Sequence, residues 1–253
     1  REEHPEIGSL SPTEQRVLLA RYCADDALKM AKIEAKTGYL ELHHTLCEST
    51  GIFPDTGAIG PKGQVETFLM RLGHDRGMRF PTTHHDVTDD SQFKGADVIE
   101  VTNTGIVKNV HVADFARLYP SIIVSWNMSP DTCVDYILEE DPLNRPSYLR
   151  HLPLRQNPLP EGCCYAPTTK VVFKREPQGL LPAAVTEMLR LRKHWDDLKA
   201  SLPPGTDGWK EADRRSAAYK ISANSFYGVI GSKYSRFFKR EVAESVTRTG
   251  AWL

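Results

Sequence analysis

The chain has 253 residues, of which 40% are hydrophobic and 26% charged, enough material for one large or two modest domains with a core. Its 32 Lys and Arg against 33 Asp and Glu leave no global charge that would advertise a polyanionic partner, so any basic surface has to be local. No apolar run approaches the roughly 20 residues of a membrane span, and the N-terminal "REEHPEIGSL" has no signal-peptide core, so no membrane partner is expected.

Five cysteines (Cys23, Cys47, Cys133, Cys163 and Cys164) are an odd number without a CxxC pair. That argues against a zinc module and fits buried thiols in a reducing, intracellular compartment such as a nucleus, a prokaryotic cytoplasm or an infected cell. The first residue is not Met, which fits a piece of something longer.

In chain order, residues 11–46 read as mostly helix, with a Ser11-Pro12 start, Glu14 in the first turn and apolar residues at helical spacing through Leu46. They look like the closing helices of a domain. "GIFPDTGAIGPKG" is a connector dense in Gly and Pro, followed by a short amphipathic helix, "QVETFLMRLGHDRG", that stops at Gly77. In "ADVIEVTNTGIVKNVHVADF" two β-rich runs flank the turn "TNTG", which predicts a hairpin with Asp114 at the far end of its second strand. Residues 129–170 are rich in proline and poor in periodicity, and read as loop with room for short strands. From Gly179 a long helix, "LLPAAVTEMLRLRKHWDDLKA", a turn, "SLPPGTDG", and a second helix from about Trp209 to Tyr227 predict an antiparallel helical hairpin. "REVAESVTRTGAWL" reads as one more helix, so the expected class is α+β.

Two groups of residues carry chemistry. On the second hairpin helix Lys220, Asn224 and Tyr227 fall at i, i+4 and i+7 and share one face, with Gly228 leaving it open. Around them, from Arg214 to Arg240, lie seven bases without an acid, interleaved with aromatics, a composition suited to nucleotides or a nucleic-acid backbone. On spacing alone, a helix whose lysines simply face solvent is the better account. Antiparallel packing could bring Arg192 of the first helix toward Lys220 as a two-cation clamp for phosphates. The second group is "DFARLYP". An Asp at a strand end is more often a cap or turn residue, but Asp114 beside a turn that can aim backbone N–H groups at an anion suits Mg²⁺ and a phosphate.

The residues match a known family at this point. "DFARLYPSI" resembles motif A of the family B DNA polymerases, and "KISANSFYG", Lys220 to Gly228, resembles their motif B at every fixed position. "FKREPQGLLPAAVTEMLRLRK" is similar to the family's entry into the first fingers helix. "RYCADDA", by itself an ordinary helix segment, resembles the third exonuclease motif at Tyr22 and Asp26.

The resemblance implies template-directed DNA synthesis with proofreading. Asp114 and the Phe115 carbonyl would hold catalytic Mg²⁺, with two ions expected at the polymerase site and two at the exonuclease site of a complete enzyme. The backbone of Phe115, Ala116, Arg117 and Leu118 would cradle the triphosphate, and Tyr119 would be the steric gate beneath the sugar. Arg192 and Lys220 would grip phosphates, and Asn224, Tyr227 and Gly228 would back the nascent base pair. Asp26 would be an exonuclease metal ligand and Tyr22 would orient the attacking water. The implied partners are primer-template DNA, dNTPs, the remaining polymerase segments and a sliding clamp. The implied layout is an exonuclease end (1–42), a connector (43–85), the first part of a palm with an antiparallel sheet (86–172), fingers (173–233) and a returning palm helix (234–253).

Three departures stand out. Arg117 occupies a place where Ser is commoner, Asp196 follows Arg192 by four residues where a second base is usual, and "TRTGAWL" lacks the usual Gly-Arg. The second palm carboxylate motif is not in the chain, so the expectation is one part of a longer or split polymerase, with an incomplete active site in this chain alone. The rival readings are a catalytically inactive polymerase-like structural subunit and a nucleic-acid-binding fragment.

Overall fold

The structure, a computed structural model, describes residues 10–55, 60–82, 100, 104–138, 154–155 and 159–253. Two compact units divide between His44 and Thr45. The first contains α1 (Pro12–Thr37) and the start of α2 (Tyr39–Thr50). Helix α1 begins as expected, at a capping box: Ser11 N–H donates to Glu14 Oε2 at 2.8 Å and Glu14 N–H to Ser11 Oγ at 3.4 Å. The Ser11 hydroxyl, which donates to Glu14 Oε2 at 2.6 Å, and the Ser11 N–H hold the Glu14 carboxyl below its ordinary pKa. The helix stops at Gly38 (φ 60°, ψ 31°), whose N–H reaches Glu34 O. A left-handed cap of that kind suits glycine because no Cβ clashes.

The core of the larger unit is built from α3 (Pro61–Asp75), α4 (Leu118–Ser125), α5 (Leu180–Ser201), α6 (Asp207–Ile230), α7 (Arg240–Trp252) and the sheet. Leu69, Ile122, Ile123, Phe173, Leu181, Met188, Phe226 and Ile230 are each fully enclosed, worth about 1.5–3 kcal/mol apiece. Helix α3, expected as a connector element, thus lies inside the core through Val65 and Leu69.

The sequence hairpin is not seen. Residues 104–115 carry no strand and are exposed, and its first run lies outside the described residues apart from Glu100. Asp114 therefore does not sit at a strand terminus but three residues before the αL turn that opens α4. A β-prone run needs a neighbouring ladder, and no described strand pairs with this one. Three strands of a four-stranded sheet come instead from the stretch read as loop with room for short strands, and the fourth follows directly after it. Its order is β2-β1-β4-β3, with β1 (Cys133–Leu138), β2 (Leu154–Arg155), β3 (Cys163–Tyr165) and β4 (Val171–Lys174). Strand β4 pairs antiparallel with β1 (Cys133 opposite Phe173, Val134 opposite Val172) and with β3 (Cys164 opposite Phe173), while β1 and β2 run parallel.

Helices α5 and α6 form the expected hairpin. The buried residues of α5 all fall between Leu180 and Met188, so its root is apolar. Its outer half is tied to α6 by polar contacts: Ser216 Oγ donates to Asp196 at 2.5 Å, Lys199 meets Asp213 at 2.7 Å, and the Arg215 guanidinium lies 5.1 Å from the Trp195 ring centre. Thr206 caps α6 by accepting from Trp209 N–H at 3.3 Å.

The root is aligned by one side chain. Asn127, in the left-handed region at φ 50°, donates from Nδ2 to the carbonyls of Lys174 (2.8 Å), Arg175 (3.2 Å) and Pro177 (3.1 Å), and accepts from Gly179 N–H at 2.8 Å. Asp131 accepts from Leu180 N–H at 3.0 Å and Ser129 Oγ from Leu181 N–H at 3.2 Å, satisfying the free donors of the first turn of α5. Gly179 is obligatory for space, since a Cβ there would lie 2.7 Å from Ser129 Cβ.

Asn127→Ala leaves a buried N–H and several carbonyls without partners and is expected to cost about 3 kcal/mol. Asn127→Asp, which cannot donate, is expected to be at least as damaging. Urea unfolding midpoints measure both, and midpoints unchanged from the parent would remove Asn127 from the alignment of α5.

Candidate active site

The approach to α4 is irregular and exposed from residue 104 to the Ala116–Arg117 turn. Arg117 then takes φ 59° and ψ 43° as the residue before the helix, and its carbonyl accepts from Ser121 N–H at 2.9 Å. The unexpected residue in the motif is thus the turning point of the backbone, a conformation that does not itself call for arginine. A single αL residue turns the chain from the exposed run into α4, at a cost of about 1–2 kcal/mol for a residue with a Cβ. The turn leaves the N–H groups of Leu118 and Tyr119 at the helix start without intrahelical acceptors, while Pro120 has none to offer. Such an end favours an anion.

Asp114 and Phe115 are exposed just ahead of this turn, and among the described residues no cation pairs with the Asp114 carboxylate. No cluster of three or more His, Cys, Asp or Glu is close enough to hold a metal ion among the described residues. Asp114 thus contributes a single carboxylate, with the Phe115 carbonyl beside it.

Tyr119 is half-buried and packs against Tyr227 of α6, with ring centres 4.7 Å apart and planes at 40°. This brings the two sequence motifs into contact. Burial pushes the Tyr227 hydroxyl above its ordinary pKa, a hydrogen bond with the Thr247 side chain pulls it back, and neighbouring Tyr119 and Glu244 add to the rise. Lys220, Asn224 and Gly228 are exposed on α6, and a Cβ on Gly228 would meet open space. Their face is available.

Arg192 faces an acid of its own helix. Its Nε lies 3.6 Å from Asp196 Oδ2, too far for a hydrogen bond, and is buried without one. The unusual Asp196 therefore has a structural part, linking Arg192 on α5 to Ser216 on α6. The basic run is also less free than it reads. Arg214 and Arg215 both engage Glu211, Arg215 also meets Glu48 at 3.2 Å, and Arg236 pairs with the nearly buried Glu66 at 3.6 Å. Those acids lie outside the 214–240 window, so a count within it could not see them.

In the first unit, Tyr22 and Asp26 are one turn apart on α1. Asp26 meets Lys29 at 3.2 Å, and the Lys29 ammonium lies 6.0 Å from the Tyr22 ring centre. Gly250 of α7 was missed from sequence because a lone glycine in an amphipathic helix gives no sign of what it faces, yet a Cβ there would lie 3.1 Å from Tyr119 Cε1.

The sequence profile of DNA polymerase family B matches residues 58–252. The DNA polymerase delta catalytic subunit of Arabidopsis thaliana is 30% identical over 241 residues, covering 94% of this chain and 20% of that protein. A DNA polymerase of Thermococcus gorgonarius is 31% identical over 192 residues, covering 74% of this chain and 21% of that protein. The chain thus spans about a fifth of the length of these relatives. In three dimensions it is similar to the family B DNA polymerase from the hyperthermophilic archaeon Pyrobaculum calidifontis, with a TM-score of 0.70 and 29% identity over 94% of this chain and 28% of that one.

Arg117→Gly relieves the αL cost, offset in part by the added freedom of the unfolded chain, and is expected to hold or raise the urea midpoint. Arg117→Val, β-branched in the same conformation, is expected to fall below it by about 1–2 kcal/mol. Equal midpoints for the two variants would show that residue 117 does not adopt the left-handed conformation.

Proposed function

The chain belongs to the family B DNA polymerases, and on that footing we propose that it carries the nucleotide-binding part of a template-directed DNA synthesis site, with one corner of a 3′–5′ proofreading exonuclease. The observation that carries this reading is the Tyr119–Tyr227 contact, which joins the Asp114 turn to the Lys220–Gly228 face. Residues distant in sequence converge where a nucleotide would have to lie.

The α4 entrance offers the Leu118 and Tyr119 N–H groups and the positive end of the helix to a triphosphate. Lys220 supplies a cation from α6. Arg192 joins it by exchanging the loose Asp196 contact for phosphate oxygens, a swap the absent Arg192–Asp196 hydrogen bond makes inexpensive. Tyr119, stiff and backed by Tyr227, packs under the sugar and excludes a 2′-hydroxyl. Asn224, Tyr227 and Gly228 form the surface against which the new base pair is judged for shape. Closing of the α5–α6 hairpin over the bound nucleotide would complete this constellation before chemistry.

The exposed Asp114 carboxylate and the Phe115 carbonyl are the oxygen donors a hard divalent cation accepts, the rest of its shell coming from water and phosphate. When bound, Mg²⁺ would neutralise charge on the transferred phosphate and activate the primer 3′-hydroxyl. A second carboxylate would come from other polymerase segments. Primer-template DNA, dNTPs and a sliding clamp are the partners of the whole enzyme on this reading, with Tyr22 and Asp26 contributing to excision.

Three experiments on the whole polymerase test this. Asp114→Asn is expected to lower nucleotide incorporation by about a thousandfold or more while primer-template binding persists, and undiminished incorporation would remove Asp114 from the metal site. Lys220→Ala is expected to raise KM for the nucleotide or lower kcat by about tenfold, and unchanged constants would eliminate the clamp. Asp26→Ala is expected to abolish 3′–5′ excision with synthesis retained, and intact excision would exclude the exonuclease corner.

A further inference from the structure

The Lys and Arg residues of α5 all face acids, but one of them does so differently from the rest. Arg190 meets Glu187 at 2.7 Å, Lys193 meets Asp197 at 2.8 Å and Lys199 meets Asp213 at 2.7 Å. Arg192 stands 3.6 Å from Asp196, and its Nε is buried without a hydrogen bond. Helix spacing does not impose that gap, since Lys193 and Asp197 share the same i, i+4 separation and close it.

The cause lies across the hairpin. Ser216 of α6 is buried, and its hydroxyl donates to Asp196 Oδ1 at 2.5 Å, a short bond of the kind carboxylates accept from hydroxyls. One oxygen of Asp196 is thus committed to α6. The other is left at ion-pair distance from the Arg192 guanidinium without bonding it. A negative charge therefore stays beside Arg192, yet is kept from closing on it.

We propose that Asp196 sets the affinity of the nucleotide site: its carboxylate competes with the substrate's phosphates for Arg192, and Ser216 limits that competition by drawing the carboxylate toward α6. The inference rests on the reading of Arg192 as a phosphate-binding residue. A triphosphate brings several negative charges to the guanidinium, and a fixed anion within a few ångströms offsets part of that attraction. Bonded fully to Arg192, Asp196 would have to be expelled before phosphate could bind. Held by Ser216, it yields at smaller cost. The two positions therefore act on nucleotide affinity with opposite sign, which a general loss of packing would not produce.

The test is KM and kcat for a deoxynucleoside triphosphate, measured on the whole polymerase. Asp196→Asn keeps an oxygen for the Ser216 hydroxyl and removes the charge. It is expected to lower KM about two- to fivefold, the reach of one half-exposed ion pair, with little change in kcat. Ser216→Ala releases the carboxylate onto Arg192 and is expected to raise KM by about the same factor. Placed in the Asp196→Asn background, the serine change should raise KM no longer, because no charge remains to be released. Thermal unfolding of each variant separates these shifts from loss of fold.

An unchanged or raised KM in folded Asp196→Asn overturns the competition, and an unchanged or lowered KM in folded Ser216→Ala overturns the restraint. Arg192→Ala is the control for the underlying reading. It should raise KM, and adding Asp196→Asn to it should then change little. A KM unmoved by Arg192→Ala removes the phosphate role of Arg192 and this inference with it. A KM raised by Arg192→Ala but unmoved by Asp196→Asn overturns the inference and leaves that role standing.

Discussion

The carboxamide of Asn127 is the constraint on which the larger unit depends. It collects three carbonyls at the end of β4 and the N–H that precedes α5, while Ser129 and Asp131 take the next two donors of that helix. A buried helix start needs such partners, because each unpaired donor there would cost on the order of 1–3 kcal/mol. One short segment after α4 thereby fixes where α4 ends, where β4 ends and in which direction α5 sets out. Everything the hairpin carries inherits that alignment.

The hairpin itself is graded from root to tip. Near Asn127 its contacts are apolar and enclosed, and beyond Met188 they become hydrogen bonds, ion pairs and a cation over an aromatic ring. Apolar packing resists rearrangement because any gap forfeits close contacts. Half-exposed polar contacts are individually weak and exchange partners at small cost. The division gives a root that holds Tyr227 against Tyr119 and an outer part joined by polar contacts such as Asp196 with Ser216.

Helix α7 closes the arrangement from behind. Thr169 and Ser245 join it to the loop before β4 at 2.6 Å, and its Gly250 lies against Tyr119. The buried Glu244 pairs with Arg248 one turn on, and burial first, with Tyr119 and Glu244 adding to it, raises the Tyr227 hydroxyl. Tyr119 is thereby packed by both α6 and α7.

The helices, α4 excepted, and the candidate residues for chemistry were readable in the amino-acid sequence alone. Caps and long amphipathic periods are local signals, readable at Ser11, Glu14 and Gly77 and along α5 and α6, and the identities at Asp114, Tyr119, Lys220 and Asn224 carry a resemblance without any coordinates. Strands of two to six residues show too few alternations to declare a period, so the sheet was hidden in and just after the stretch that read as loop with room for short strands. The hairpin expected before Asp114 had the opposite fault: β-prone residues, but no paired ladder among the described strands. Only the tertiary structure decided the left-handed turn at Arg117, the neutralisation of Arg215 and Arg236 by Glu48 and Glu66, and the wall that α7 forms behind Tyr119. Each of these is set by which distant atoms come within a few ångströms of one another, and local sequence carries no record of that.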